Sequence, residues 1–75
     1  MEWNYRVRHN AKCPTYDYQE GCYTKEVAEE VFDGIVEELS GRTKEPFTVT
    51  LEKVDRDYMG IIYVEKVIKS ETRNN

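Results

Sequence analysis

The chain has 75 residues, of which 39% are apolar and 35% charged. A chain of this length forms one domain (residues 1–75), which buries only about 60% of the surface that its unfolded form exposes. No apolar run approaches the ~18 residues of a membrane span, and "MEWNYRVRHN" has no signal-peptide core, so we expect a cytoplasmic protein. The composition argues against a membrane protein and predicts an ordered globular domain, for which a homodimer would enlarge a small core.

The net charge of −4 is distributed unevenly along the chain. Residues 17–38 contain eight acids and one base, Lys25, so this block carries −7. Residues 1–16 carry +2 and residues 39–75 carry +1. The negative charge is therefore concentrated in one segment, and this distribution is more informative than the total.

The first predicted element is a strand over residues 3–9, "WNYRVRH", in which apolar and polar residues alternate. The apolar set on one face is Trp3, Tyr5 and Val7. Residues 10–23 contain several turn formers without a clear period, which predicts a long irregular connection. A short extended piece at Tyr16–Tyr18 is the only regular structure expected there.

A helix is predicted from Lys25 to Ser40, with Thr24 as its N-cap. Apolar residues at four-residue steps make one face of this helix apolar over its whole length. They are Val27, Val31, Ile35 and Leu39, and the stripe is broadened by Ala28, Phe32 and Val36. Gly41 is the predicted stop at the C-terminal end.

Two further strands are predicted in "FTVTLEKV" and "IIYVEKVIK", joined by the turn-forming segment "DRDYMG". Apolar residues lie on both faces around residues 61–64, which predicts either an irregular register or an outer face covered by a partner. Residues 70–75 are predicted to fray. The order β-α-β-β predicts an α+β fold, in which one amphipathic helix packs on a three- to four-stranded antiparallel sheet.

Residues that could carry chemistry form no recognised pattern. His9 has no serine or cysteine at a spacing typical of a nucleophile and its base. Cys13 and Cys22 lack the close pair typical of structural zinc, and without a secretion signal we expect free thiols. The four glycines stand singly, so no phosphate-binding loop is present. We therefore predict no enzymatic activity, no metal site and no cofactor.

Three tyrosines, Tyr16, Tyr18 and Tyr23, cluster before the predicted helix. They could pack against Trp3 and Tyr5, because small cores often recruit tyrosine. They could instead be anchors of a binding interface, where tyrosine is enriched among the energetically dominant residues. Both interpretations stay open.

Carboxylates line the helix opposite its apolar face. Five of them fall within an arc of roughly 100°, with a sixth on its flank. They are Glu26, Glu29, Glu30, Asp33 and Glu37, with Glu38 on the flank. The rise from residue 26 to 37 is about 16 Å, or about 4 Å per carboxylate, close to the ~3.4 Å per charge of one DNA strand. A solvated polar face is the alternative interpretation, since every amphipathic helix needs one.

The spacing of these acids breaks local rules of helix stability. Neighbours three or four residues apart are like-charged, and each such pair costs ~0.2–0.5 kcal/mol, together roughly 1–2.5 kcal/mol. Glu37 and Glu38 also stand in the last turn of the predicted helix, where the dipole prefers cations. Such violations are typical of functional sites. The predicted partner-binding surface comprises Glu26, Glu29, Glu30, Asp33, Glu37 and Glu38, with Asp17, Glu20, Tyr16 and Tyr18 from the preceding segment.

The segment "KEVAEEVFDGIVEEL", in so short a chain, resembles the small acidic DNA-mimic inhibitors that bacteriophages direct against host DNA-binding proteins. This resemblance implies a host-takeover protein of the bacterial cytoplasm. It would occupy the basic nucleic-acid-binding surface of a host protein without itself binding nucleic acid or membrane.

Two other functions remain open. A sheet with exposed tyrosine and lysine could bind single-stranded nucleic acid. The bases in question are Arg42, Lys44, Lys53, Arg56, Lys66, Lys69 and Arg73, although acids are interleaved with them and the pI is near 5. The chain could instead be a plain assembly domain that dimerises through an exposed strand edge.

Overall fold

A computed structural model describes residues 3–11 and 19–74 of the chain. Its elements are β1 (Tyr5–His9), β2 (Gln19–Cys22), α1 (Lys25–Arg42), β3 (Phe47–Arg56) and β4 (Ile62–Arg73). The strands form one antiparallel sheet in the order β2-β1-β3-β4, and α1 packs on one face, mainly against β1, β2 and β3. The predicted α+β class, with a single helix on a four-stranded antiparallel sheet, is confirmed.

Strand β2 is an element that the sequence pattern did not reveal. It pairs with β1 from Tyr5 opposite Cys22 to Arg8 opposite Gln19. The prediction of an irregular connection over residues 10–23 is therefore wrong for the last part of that range. Four residues that include a glycine are too few to show a period, and pairing with β1 defines the strand instead. The extended piece predicted at Tyr16–Tyr18 lies outside the described residues.

Trp3 lies on the face of the sheet that is turned away from α1, which we call the open face. A Cβ atom added to Gly21 would stand 2.3 Å from the Trp3 ring, and Gly21 is paired with Arg6. Opposed residues of an antiparallel pair share a face, so Trp3 covers the same side as Arg6. The prediction that Trp3 shares a face with Tyr5 and Val7 is wrong, because regular strand structure begins only at Tyr5.

The helix starts as predicted and ends later. The Thr24 hydroxyl accepts a hydrogen bond from the Val27 amide at 3.2 Å, which confirms the N-cap. At the other end, the Thr43 amide donates to the Leu39 carbonyl at 3.1 Å, and the helix includes Gly41. The predicted stop at Gly41 is wrong because this glycine does not adopt the left-handed conformation that would end the helix there.

The core lies between α1 and the inner face of the sheet. Its buried members are Val7, Cys22, Ala28, Phe32, Ile35, Val36, Leu39, Phe47, Val49 and Leu51. The buried stripe of the helix is rotated from the predicted four-residue series, because Val27 is 47% exposed and Val31 is only partly buried. The face that meets the sheet is centred on Phe32, which is 2% exposed.

The hairpin of β3 and β4 is long and closed by a well-defined turn. The Asp57 carboxylate accepts hydrogen bonds from the amides of Met59 and Ile61, and Gly60 has a φ of 82° that favours glycine. Strand β4 continues to Arg73, which pairs with Phe47. The prediction that the chain frays from residue 70 is therefore wrong as far as Arg73, since residues 70–73 complete the ladder with β3.

The predicted irregular register of the last strand is confirmed. The pairing register shifts twice along β4, and each shift leaves one β4 residue without a paired residue on β3. These residues are Glu65 and Ile68. Ile68 turns toward α1 and packs against the core.

Candidate functional site

The acidic face of α1 is defined here as Glu26, Glu29, Glu30, Asp33 and Glu37. The Thr24 cap and the buried Phe32 fix the rotation of the helix, so this face is turned away from the sheet. Four of its side chains are exposed, and Glu29, at the border with the buried stripe, is partly buried. The structure thus places these five helix acids on one surface.

Two of the six predicted helix acids form ion pairs within the chain. The Asp33 carboxylate lies 3.5 Å from the Lys69 ammonium, which also stands 4.5 Å from the centre of the Phe32 ring. The Glu38 carboxylate lies 3.0 Å from the Arg42 guanidinium, one helical turn away. The other four are Glu26, Glu29, Glu30 and Glu37, and within residues 3–11 and 19–74 no cation pairs with them.

The expected conflict between the last-turn acids and the helix dipole is smaller than the sequence suggested. The helix extends to Arg42, so the base that the dipole prefers occupies the last turn. Glu38 is compensated by that same arginine. The prediction that Glu37 and Glu38 stand in the last turn is therefore wrong.

Apart from Lys69, which pairs with Asp33, the basic side chains of the sheet that form ion pairs do so with acids outside the acidic face. Lys53 pairs with Glu65 at 3.7 Å, and Arg73 pairs with Glu71 at 2.6 Å. On the open face, two further arginines share one buried carboxylate. Most positive charges of the sheet are thus paired with nearby carboxylates.

The buried carboxylate is Glu52, which is 2% exposed. Arg8 binds it with two nitrogens, Nη2 to Oε2 at 3.0 Å and Nε to Oε1 at 3.0 Å, and Arg6 Nη2 lies 3.0 Å from Oε1. Such a two-pronged contact is a strong, directional interaction. This cluster was not predicted from the sequence, although the spacing of Arg6 and Arg8 on a predicted strand indicates that they share a face.

Two apolar side chains lie exposed at the N-terminal end of the acidic face. Tyr23 is 58% exposed and Val27 is 47% exposed, one turn apart in the sequence. Tyr23 therefore does not pack in the core, and its role in an interface stays a prediction. Tyr16, Asp17 and Tyr18 lie outside the described residues, and for Glu20 only the backbone, in β2, is described.

A groove of about 420 Å³ runs between the C-terminal half of the acidic face and β4. It is lined by Asp33, Val36, Glu37, Ser40, Glu71 and Arg73. Three carboxylates and one guanidinium give it a net negative lining, so a cationic side chain of a partner is the group that suits it.

Within the described part of the chain, no group of three or more His, Cys, Asp or Glu side chains could hold a metal ion. Nor does any helix there have the length and apolar character needed to cross a membrane. Cys22 is buried and belongs to the core, whereas Cys13 is outside the described residues. Comparison of the chain with protein-family models, with curated proteins and with solved structures finds no significant match.

Proposed function

We propose that this protein is a small inhibitor that binds a basic, nucleic-acid-binding surface of another protein through the acidic face of α1. In this role the row of carboxylates takes the place of a DNA phosphate edge, as in the phage inhibitors that the helix sequence resembles. The partner is a DNA-binding protein of a bacterial host, and both proteins act in its cytoplasm. No cofactor or catalytic step is involved.

One observation carries this proposal. Glu26, Glu29, Glu30 and Glu37 have no cation of the described residues beside them, whereas most bases of the sheet are bound by carboxylates. An unneutralised row of charge on a rigid helix attracts a surface of opposite charge. Tyr23 and Val27 add apolar area at one end of the row, where a bound partner would exclude water from them.

The same observation weakens the alternative that the sheet binds single-stranded nucleic acid. Such binding needs cations that are free to neutralise phosphates and aromatic rings on which bases stack. Arg6 and Arg8 are both engaged by Glu52 on the open face, and Trp3 is covered by the Arg56 guanidinium at 4.8 Å from its ring centre. The alternative of an assembly domain has separate support in strand β4, described below.

The proposal is tested by capture from a bacterial lysate with two variants of equal charge. One variant combines Glu30→Gln, in the middle of the acidic face, with Glu37→Gln at its C-terminal end. The control combines Glu45→Gln with Asp55→Asn, two exposed acids outside α1. We expect the native protein and the control to retain the same basic DNA-binding protein, duplex DNA to release it, and the acidic-face variant to retain at least tenfold less.

Two results would contradict the proposal. One is capture of a partner that both variants retain equally well, because the acidic face would then not be the contact. The other is direct binding of labelled single-stranded DNA or RNA by the native protein, measured by fluorescence anisotropy, which would favour the sheet as the binding surface.

A further inference from the structure

Strand β4 and its turn expose a group of large apolar side chains, which we call the β4 patch. Its members are Tyr58, Met59, Ile61, Ile62, Tyr63, Val64 and Val67, with exposed fractions between 37% and 97%. Helix α1 packs mainly on β1, β2 and β3, and within the described residues no strand lies on the outer side of β4. An apolar edge of this kind is a template for pairing with another chain.

The patch is large enough for a specific interface. Together its exposed fractions amount to about four fully exposed side chains, or roughly 600–800 Å² at ~150–200 Å² each. These side chains lie on both faces of β4 and on its turn, and their summed area is close to the roughly 800 Å² that a standard interface takes from each partner. The turn bound by Asp57 holds Tyr58 and Met59 in this exposed position.

The bulge at Glu65 gives β4 an unusual order of faces. Val64 is opposite Val54 and Val67 is opposite Glu52, so both valines lie on the open face. Lys66 is opposite Lys53 on the other face, and the Glu65 carboxylate reaches the same Lys53 at 3.7 Å. Glu65 and Lys66, which have opposite charges, therefore both lie on the face of the sheet that carries α1. Val64 and Val67 flank them on the open face.

We propose that β4 pairs in antiparallel fashion with β4 of a second copy of this chain, about a two-fold axis between Glu65 and Lys66. Val64 then lies opposite Val67 of the partner subunit, and Glu65 lies opposite Lys66 of the partner subunit. Each contact occurs twice by symmetry. In a two-fold antiparallel pairing, residues that lie opposite each other must be on the same face of the sheet. Neighbouring residues of a regular strand lie on opposite faces, but the bulge places Glu65 and Lys66 on the same face, so they can lie opposite each other in the dimer.

The charge of the patch favours a second copy over the partner of the acidic face. Residues 55–67 contain three acids and two bases, so the segment carries only −1 and attracts neither a strongly basic surface nor nucleic acid. Glu65 and Lys66 make it self-complementary instead. The result is a continuous eight-stranded sheet with both acidic faces on the same side.

The test is sedimentation velocity over micromolar to millimolar concentrations, where we expect a dimer of twice the 8.9 kDa chain mass. Lys66→Glu and Glu65→Lys each oppose like charges at both symmetry-related positions, so each should weaken the dimer at least tenfold. The double variant Glu65→Lys/Lys66→Glu restores opposite charges, and its Kd should return to within about threefold of the native value. The exposed Lys44→Glu, outside β4, is the control and should leave the Kd unchanged.

Glu65, Lys66 and Lys44 are exposed, so each variant should fold. Circular dichroism at low concentration checks this. A native chain that stays monomeric to millimolar concentration overturns the proposal, and would mean that the bulges and lysines of β4 protect its edge. A dimer that does not respond to the single variants, or that the double variant does not restore, also overturns it. The acidic-face variant Glu30→Gln/Glu37→Gln should remain dimeric, so this result is independent of the proposed function.

Discussion

Replacing Glu30 and Glu37 by glutamine should stabilise the folded protein while removing charge from its candidate binding surface. The two changes eliminate the like-charged helix pairs 26/30, 30/33 and 33/37. Each such pair costs ~0.2–0.5 kcal/mol, so the free energy of unfolding should rise by about 0.6–1.5 kcal/mol. Because Lys69 lies 3.5 Å from Asp33 and offsets part of its charge, the lower half of this range is the better estimate.

The measurement is thermal unfolding followed by circular dichroism at low ionic strength. For a domain of this size, 1 kcal/mol corresponds to about 4–8 °C in Tm, so the full range predicts a rise of about 2–12 °C. In 1 M salt the Debye length falls to about 3 Å, and most of the rise should disappear. The control variant, Glu45→Gln/Asp55→Asn, lacks helix neighbours of like charge and should stay within about 0.5 kcal/mol of the native protein.

A double variant that melts at the native temperature in low salt would refute this reasoning, because the acidic face would then carry no electrostatic cost. A rise that persists unchanged in 1 M salt would also refute it, since the gain would come from another source such as helix propensity.

Two further predictions concern the open face. Gly21→Ala places a methyl group 2.3 Å from the Trp3 ring and should lower the free energy of unfolding by about 1–3 kcal/mol. The assay is urea unfolding followed by the fluorescence of Trp3, the single tryptophan, in which the midpoint should fall. An unchanged midpoint would contradict the packing of Trp3 on Gly21. Glu52→Gln leaves Arg6 and Arg8 without their shared anion and should cost roughly 1.5–3 kcal/mol in the same assay. A loss below 0.5 kcal/mol would show that the cluster contributes little to folding.

The helix was predictable from the sequence because its signals agree at several levels. A threonine cap, an apolar stripe and a run of strong helix formers point to the same segment, and Thr24 binds Val27 as expected. Its end was not predictable from Gly41, because a glycine stops a helix only where the chain takes the left-handed conformation. The rotation of the buried stripe was also missed, because the position of the sheet decides which apolar residues meet it.

The acidic face could be predicted because helical spacing alone aligns its carboxylates. The pairing of Asp33 with Lys69 could not, since it joins residues 36 positions apart through the packing of β4 beside α1. The ion pairs of Glu52 could not be predicted either. Alternation along the strand places Glu52 on a polar face, but in the structure two arginines of β1 bind it and it is buried. Long-range compensation of charge is the part of the candidate site that needed the structure.

The ion pairs of Arg6 and Arg8 with Glu52 affect how the molecule approaches a binding partner. The triad adds only one net positive charge on the open face, while on the helix the carboxylates of Glu26, Glu30 and Glu37 have no cation of the described residues beside them. The domain is therefore an electric dipole with its negative pole along α1. At low ionic strength, a positively charged partner would orient the molecule with α1 toward it before contact. The association rate, more than the lifetime of the complex, should therefore fall as ionic strength rises.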